Sequence, residues 1–288
     1  MSLVKIPRLF KYMSAKRLLS MLKQPSIRFT QPNALNDPYE CHLTLDRKAL
    51  LAHYREARRS HEPEISAERL VESVAMAEDQ LVIDALLQYR ERRNSFGVVS
   101  LSEDPLQLLM WAHYGEEHRG AAVEIELTHP ALLPRSDGRD QYSDIRKVDY
   151  TQAKISGLPW PDTIVKVLST KSTDWSYERE WRLLRTLNLT RKAADGVHVV
   201  DFDMSAIRTV YLGAHFDAQH LQEIVGLTSA SKHPKPKILK VDIAPHRFEL
   251  RTTSAEKYGW KLMHREHHFG DAAPEALTCL PMDDDGDA

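Results

Sequence analysis

Residues 97–127 read GVVSLSEDPLQLLMWAHYGEEHRGAAVEIEL, and they predict a strand, a helix and a second strand in that order. Both ends of this stretch are short runs of β-branched and apolar residues, which is typical of buried strands. Asp104 and Pro105 have the residue types of an N-cap and a first helical position, so we expect a helix to begin there. The stretch therefore indicates a fold that contains both helices and sheet.

Similar patterns in the rest of the chain predict further elements of both types. We expect helices at Met13–Leu22, Asp162–Leu168 and Ala218–Val225. We expect strands at Ile27–Thr30, Lys147–Tyr150, Glu180–Arg185, His198–Phe202, Thr209–Leu212, Ile238–Ile243 and Arg247–Leu250. Because helical segments of unequal length separate these strands, the predicted fold class is α+β, with a central mixed or antiparallel sheet.

The helical segment at 46–93 has its own composition. It is rich in Ala, Leu, Glu and Arg and contains no Gly, so it predicts two helices, 46–60 and 65–93, broken near Pro63. We interpret it as a helical insertion that is remote from any functional site. Residues 1–270 are expected to form a single α+β domain, and 271–288, which end in MDDDGDA, an acidic disordered tail.

Composition limits the classes of function. The chain has 288 residues and a net charge of -2, so it has no overall positive field to attract nucleic acid. Cys41 and Cys279 match no disulfide or metal spacing, and there is no run of about 18 apolar residues, so we expect a cytoplasmic protein without membrane contact. His264 and His268 have the i,i+4 spacing of metal ligands but lack the rest of a zinc motif, and we predict no metal site.

Polar chemistry is concentrated in three segments, of which the first is IRFTQPNALNDPYE, residues 27–40. Arg28 and Thr30 lie on one face of the predicted strand. Asn36 and Asp37 precede a proline and favour a turn, because their side chains bond to nearby backbone. The structural interpretation is a strand and an ordered turn with Arg28 as a surface cation, and the functional one is a ligand-binding wall.

The second segment, residues 100–126, combines hydroxyl and aromatic side chains. Ser100 and Ser102 share a strand face, and Trp111 and Tyr114 are neighbours on the predicted helix, with His113 beside them. Such a cluster is a suitable wall for a flat ring. An aromatic stripe at helical spacing is also typical of a hydrophobic core, and both interpretations stay open at this point.

The third segment, KSTDWSYEREWR, begins at Lys171 and ends at Arg182. As a strand, it places Glu178, Glu180 and Arg182 on one face. Two carboxylates this close predict that one has a raised pKa or a cationic partner. As a helix, the segment instead forms an ordinary i,i+4 ion pair between Glu178 and Arg182.

The three segments together resemble a bacterial family known as domain of unknown function twenty-nine seventy-one. The resemblance rests on Phe10-Lys11-Tyr12, RFTxPxxLNDPYE, SLSE with MWAHYGxxHxG, WSYExEWR and a late Leu212-Gly213. It spans nearly the whole chain except the helical insertion and the tail. It implies no activity, because the family is named for lacking one.

The sequence is also similar to ADP-ribosyltransferases of the arginine–serine–glutamate kind. Those enzymes have an Arg on an early strand, a Ser-x-Ser strand and a late Glu-x-Glu, and Arg28, Ser100-Leu101-Ser102 and Glu178-Arg179-Glu180 follow in that order. This similarity implies NAD as substrate and allows a split-sheet fold. It also implies roles for the residues. Glu180 would stabilise the oxocarbenium-like ribose, Glu178 would activate the acceptor, and Arg28 would bind the diphosphate; Ser100 or Ser102 would brace Glu180, and Trp111, His113 and Tyr114 would line the nicotinamide pocket.

Two other classes of function remain open from the sequence. The first is a non-catalytic nucleotide-sensing or protein-interaction module of a bacterial defence system, with an ion-pair network formed by Arg28, Asp37, Glu40, Glu178 and Arg182. The second is a metal-dependent nuclease that uses Asp37, Glu40, Glu178 and Glu180. An enzyme requires the three segments to meet at an open cleft, whereas a structural network requires them to be buried and mutually paired. The acceptor, protein or nucleic acid, is not predicted.

Overall fold

The computed structural model describes residues 6–133 and 143–254. Its strands are β1 (Leu9–Met13), β2 (Ser26–Phe29), β3 (Thr44–Leu45), β4 (Phe96–Ser102), β5 (Ala121–Ile125), β6 (Asp144–Lys147), β7 (Asp149–Tyr150), β8 (Ser156–Gly157), β9 (Thr170–Lys171), β10 (Glu180–Thr186), β11 (Arg191–Lys192), β12 (His198–Asp201), β13 (Ile207–Leu212), β14 (Lys237–Ile243) and β15 (Leu250–Ser254). Its helices are α1 (Ala15–Lys23), α2 (Arg47–His61), α3 (Ala67–Asn94), α4 (Leu108–Tyr114), α5 (Pro161–Leu168) and α6 (Ala218–Ser229). The predicted α+β class is confirmed.

A mixed sheet of eight strands forms the centre, in the order β15-β14-β13-β5-β1-β4-β10-β6. All neighbouring strands in it are antiparallel except β13 and β14, which are parallel and joined through α6. A smaller sheet, β11-β12-β2, is linked to the large one by a bridge between Thr30 and Val98. The first and second motif segments therefore meet at β4.

The central position of β1 was not predicted from the sequence. Leu9 and Met13 belong to the main hydrophobic core on one face of the sheet, and Phe10 and Tyr12 pack with Trp111 on the other. Because both faces of β1 are covered, the strand lacks the alternation of apolar and polar residues that marks a half-buried strand.

The start of α4 corrects a sequence prediction. The Asp104 carboxylate accepts a hydrogen bond from the backbone N–H of Leu106 at 2.8 Å, which closes a turn and starts no helix. Gln107 is the N-cap, and its side-chain oxygen accepts from the N–H of Leu109 at 2.6 Å. The helix therefore begins at Leu108, because the hydrogen bond from Leu106 to the Asp104 side chain holds the preceding residues in a turn.

The last predicted strand is also shifted. Arg247–Leu250 was expected as a strand, but the N–H of Glu249 donates to the carbonyl of Arg247 at 2.8 Å and the chain turns there. β15 starts only at Leu250 and pairs with β14. In the same way, the strand expected at Lys147–Tyr150 is divided between β6 and β7, which pair with different partners.

The helical segment lies at 47–94, close to its predicted bounds. Asp46 caps α2 and Ser66 caps α3 through their side-chain oxygens. The C-terminal part of α3 is fixed to the site side of the fold by Tyr89, whose hydroxyl donates to the Cys41 carbonyl at 2.5 Å. In the described ranges, no helix is long and apolar enough to cross a membrane. The single-domain assignment stays a prediction, and the tail and the HREHH segment lie outside the described residues.

Candidate functional site

A cavity of about 180 Å³ lies where all three motif segments meet. Three adjacent strands of the central sheet, β1, β4 and β10, contribute to its wall, and the turn after β2 contributes too. Its lining includes Thr30, Asn36 and Glu40 from the first segment, Ser100, Ser102 and Tyr114 from the second, and Lys171, Glu178 and Glu180 from the third. Segments far apart in the sequence therefore form one site.

Arg182 is fully buried behind this cavity and neutralises two carboxylates. Its Nε and Nη2 donate to Glu180 at 2.9 and 3.1 Å, and Nη2 also donates to Glu40 Oε2. Its Nη1 donates to the Leu168 carbonyl at 2.8 Å. A buried guanidinium is tolerated only when its charge and its donors are matched in this way. Arg182 therefore links Glu180 and Glu40 through hydrogen bonds to both carboxylates.

A chain of polar side chains begins at Lys171 and runs along the cavity wall. The Lys171 ammonium donates to Glu178 Oε2 at 2.8 Å and lies 3.7 Å from Glu180 Oε2. The Tyr114 hydroxyl donates to Glu178 Oε1 at 2.7 Å, and Asn36 Nδ2 donates to that hydroxyl oxygen at 2.8 Å. Glu178 is therefore held from both sides within reach of the cavity.

The backbone between the two glutamates explains how both reach the same site. A 3-10 helix, Thr173–Glu178, is followed by Arg179 in the left-handed conformation, φ 44°, and β10 begins at Glu180. The third segment is thus neither wholly strand nor an α-helix, and no turn residue signals the change. Ser102 lies opposite Glu180 in the sheet register and donates through its hydroxyl to the Glu178 carbonyl at 2.7 Å.

The two carboxyl groups have opposite pKa shifts. Burial raises the pKa of Glu178, and the nearby charge of Glu180 raises it further, while Lys171 offsets part of this. Burial would also raise the pKa of Glu180, but the charges of Arg182 and Lys171 outweigh it and lower that pKa to about 2. The site therefore combines a carboxylate that is ionised at neutral pH, Glu180, with a more basic one, Glu178, as the spacing predicted.

Lys11 is a site residue that the sequence analysis did not single out. It lies on β1, lines the cavity, and its Nζ donates to the Ser100 carbonyl at 3.0 Å. Burial lowers its pKa to about 8. The available signal was a lysine between Phe10 and Tyr12, a cation within an otherwise apolar strand.

Three residues predicted to bind the cofactor or to act in the reaction lie away from the lining formed by the described residues. Trp111 is fully buried, its indole N–H donates to the Pro105 carbonyl at 2.9 Å, and it packs edge-to-face on Tyr12. Trp111 is therefore part of the hydrophobic core, which is the second of the two interpretations of the aromatic stripe. His113 is exposed, and its Nδ1 lies 3.0 Å from the Tyr177 hydroxyl. Arg28 is half-buried in β2, opposite β12.

The acidic residues of the site do not have the arrangement of a metal centre. Asp37 accepts from the backbone N–H of Tyr39 at 2.8 Å and lines a neighbouring cavity, not the first one. Glu178 and Glu180 are already paired with the chain's own cations. In the part of the chain that the structure describes, no group of three or more His, Cys, Asp or Glu could hold a metal ion. The donor set therefore offers little support for the nuclease interpretation.

These features define an α+β protein with a buried, charge-paired site at the junction of three strands. Residues 110–183 match the sequence profile of a family described as Protein of unknown function (DUF2971). The match confirms the predicted family resemblance, and it includes Tyr114, Lys171 and both glutamates of the site. No curated protein matches the chain. No solved structure matches it either.

Proposed function

We propose that this chain is an NAD-consuming enzyme of the ADP-ribosyltransferase kind. The observation that carries the proposal is the sheet register, which sets Ser102 of the Ser-x-Ser strand opposite Glu180 of the Glu-x-Glu segment, with both lining one cavity. The resemblance suggested by residue order in the sequence is thus supported by spatial adjacency. The proposal takes the protein as a cytoplasmic effector of a bacterial defence system, or a toxin, with an acceptor yet to be identified.

The two glutamates suit the two halves of this reaction. The bond between the ribose C1 and the nicotinamide nitrogen breaks, its electron pair leaves with nicotinamide, and positive charge develops on the ribose. Glu180, whose pKa of about 2 keeps it ionised, stabilises that charge. Glu178, whose pKa is raised, accepts the proton of the attacking water or acceptor side chain.

The structure changes which residues we assign to NAD binding. Lys11 replaces Arg28 as the cation that contacts the diphosphate, because Lys11 lines the cavity. Tyr114 replaces Trp111 as the aromatic wall. Pockets for drug-sized ligands have volumes of about 300–1,000 Å³, so a cavity of about 180 Å³ has room for one ring of NAD. In this proposal the diphosphate lies at the edge of the cavity beside Lys11, and the adenosine part lies outside it.

A non-catalytic nucleotide-binding module is the second candidate, and one observation favours it. Glu180 is paired with Arg182 at 2.9 Å and lies 3.7 Å from Lys171, so its charge is already balanced inside the protein. A carboxylate balanced in this way stabilises a developing cation less than an unpaired one does. In this alternative, NAD or a related nucleotide binds in the cavity and no bond is broken.

Nicotinamide release separates the two candidates. Purified protein is incubated with NAD, alone and with protein and nucleic-acid acceptors, and free nicotinamide and bound NAD are measured. Release above the rate of a protein-free sample supports the enzyme. Saturable binding without release supports the module, and the absence of both results rejects NAD as the ligand.

The titration of Lys11 predicts how diphosphate affinity depends on pH. Lysine with a pKa of about 8 loses its charge as the pH rises through that value. A hydrogen bond to a charged group contributes about 1.5–3 kcal/mol, so we expect the affinity for ADP-ribose to fall about ten-fold or more between pH 7 and pH 9.5. Calorimetric titration across this range measures the change.

Lys11→Arg is the matched control for this pH profile. A guanidinium stays protonated over the whole range, so the variant should keep a flat affinity profile up to pH 9.5. A profile that falls equally in the variant and the wild type would assign the titration to another group and contradict the role given to Lys11.

A further inference from the structure

The outer face of α3 carries a row of exposed apolar side chains. Met76, Ile83 and Leu87 are 88%, 50% and 50% exposed, and the exposed Gln80 completes the row. The four positions follow one another at intervals of four, three and four residues. This is the spacing of the a and d positions of a coiled coil, which places all four side chains on one stripe of the helix. We call these four residues the α3 seam.

The α3 seam faces away from the rest of the described chain. The opposite stripe of α3 is the one that packs on α2, α5 and β4, and its buried residues are Leu70, Val74, Ala85 and Tyr89. At 3.6 residues per turn, the centres of the two stripes are about 160° apart around the helix axis. The solvent face of a surface helix is normally polar, and a contiguous apolar one marks a surface that contacts another molecule.

The charges beside the α3 seam favour a second copy of the same helix running in the opposite direction. Glu72 precedes the seam and Arg90 follows it, and both are exposed without an ion pair inside the described ranges. The 18 positions between them make about five full turns, so both lie on the same side of the seam. An antiparallel pairing centred near residue 81 brings Glu72 of each copy to Arg90 of the other. A parallel pairing would set each charge against its own copy.

We propose that the α3 seam is a self-association surface, through which two copies of this chain form a symmetric antiparallel dimer. Met76 then packs against Leu87 of the second copy, and Ile83 packs against the aliphatic part of Gln80 of the second copy. Gln80 also donates to Asp84 of its own helix at 2.8 Å, so its amide keeps a partner in the interface. A two-fold contact requires a self-complementary surface, and the α3 seam is self-complementary in both spacing and charge.

Sedimentation equilibrium of the full chain tests the proposal. Because the seam has only four positions, we expect a reversible dimer, with a mass that rises from one chain to two as the protein concentration increases. A wild type that stays monomeric up to its highest soluble concentration overturns the proposal. It would leave the seam to another segment of the same chain or to a different protein.

Ile83→Asp should raise the dissociation constant of the dimer about a hundred-fold or more. Ile83 lies next to the two-fold axis, so the variant removes apolar contact and brings two carboxylates close together in the interface. Val71→Asp is the matched control, because Val71 is also an exposed apolar residue of α3, 62% exposed, but lies about 150° around the helix from the seam. The control should leave the dissociation constant unchanged. Equal effects of the two variants, or no effect of Ile83→Asp, would place the contact elsewhere.

Charge reversal tests the antiparallel direction with side chains that are exposed in the single chain. Glu72→Arg and Arg90→Glu should each weaken the dimer several-fold, because each change sets like charges against one another in both symmetric contacts. The double variant should restore the wild-type dissociation constant, since Glu72 and Arg90 have exchanged places across the interface. A double variant that stays as weak as the single ones would contradict the antiparallel arrangement.

Discussion

Arg182→Met is expected to lower the free energy of unfolding by about 3–5 kcal/mol, because it leaves two carboxylates buried without their cation. Methionine keeps an unbranched chain that fills much of the volume, so the loss measures charge and hydrogen bonds more than packing. Glu40 and Glu180 lose their guanidinium partner, and the Leu168 carbonyl loses a donor. Urea unfolding of the wild type and the variant measures the difference.

Arg191→Met is the control with the same pair geometry in an exposed position. Arg191 donates twice to Asp201 at 2.6 Å, but both side chains are nearly half exposed, so its removal should cost far less. Equal losses in the two variants would show that burial does not set the strength of the Arg182 network.

The pH dependence of stability gives a second check on the network. The pKa of Glu180 is about 2 in the folded state, against an ordinary value of 4.5. Its contribution to stability is therefore complete above pH 4.5 and is lost as the pH falls toward 2. Arg182→Met should weaken this dependence, and an unchanged acid profile would contradict the assigned pairing.

Glu180→Gln is expected to reduce nicotinamide release by about a hundred-fold or more, if the protein cleaves NAD as proposed. Glutamine keeps the size and one acceptor oxygen but cannot balance a cationic transition state. The variant should also be less stable, because Arg182 and Lys171 lose the charge that faces them, and a lower melting temperature should accompany the lower rate.

The rate must therefore be compared per folded molecule. Arg182→Lys provides the reference, because it weakens the same network by replacing a bidentate cation with a point charge but keeps both glutamates. Below the melting temperature of each variant, Arg182→Lys should retain most of the nicotinamide release and Glu180→Gln almost none. Activity that tracks the folded fraction equally in both variants would make Glu180 a scaffold residue and favour the binding module.

The sequence alone located most of the elements and the parts of the site. The spacing of apolar residues and the capping residues predicted α1, α2, α3 and α6 to within a few residues of their observed bounds. These signals depend only on residues that are close in the sequence. The three motif segments were identified by residue type, and their convergence on one cavity was expected if they formed a site.

The sequence grouped Glu40 and Arg182 in one ion-pair network only as an alternative, and it did not predict which members of that network form pairs. Arg182 and Glu40 are separated by 142 positions, and no local pattern pairs them. The left-handed conformation of Arg179 has no sequence signal either, because arginine is not a typical residue for it. The role of Trp111 was ambiguous because the same helical spacing is typical of both a hydrophobic core and a ring-binding wall.

The strand order β5-β1-β4-β10 also has a consequence for how the molecule forms during translation. Lys11 emerges from the ribosome long before β10, which completes the cavity and emerges only after Arg182 has been added. At about 5–20 residues per second, this interval lasts roughly 10 to 30 seconds. Throughout it the nascent chain has no assembled site, and pairings between such distant strands form slowly even afterwards. Any ligand or partner that recognises the cavity therefore binds only after synthesis has passed β10.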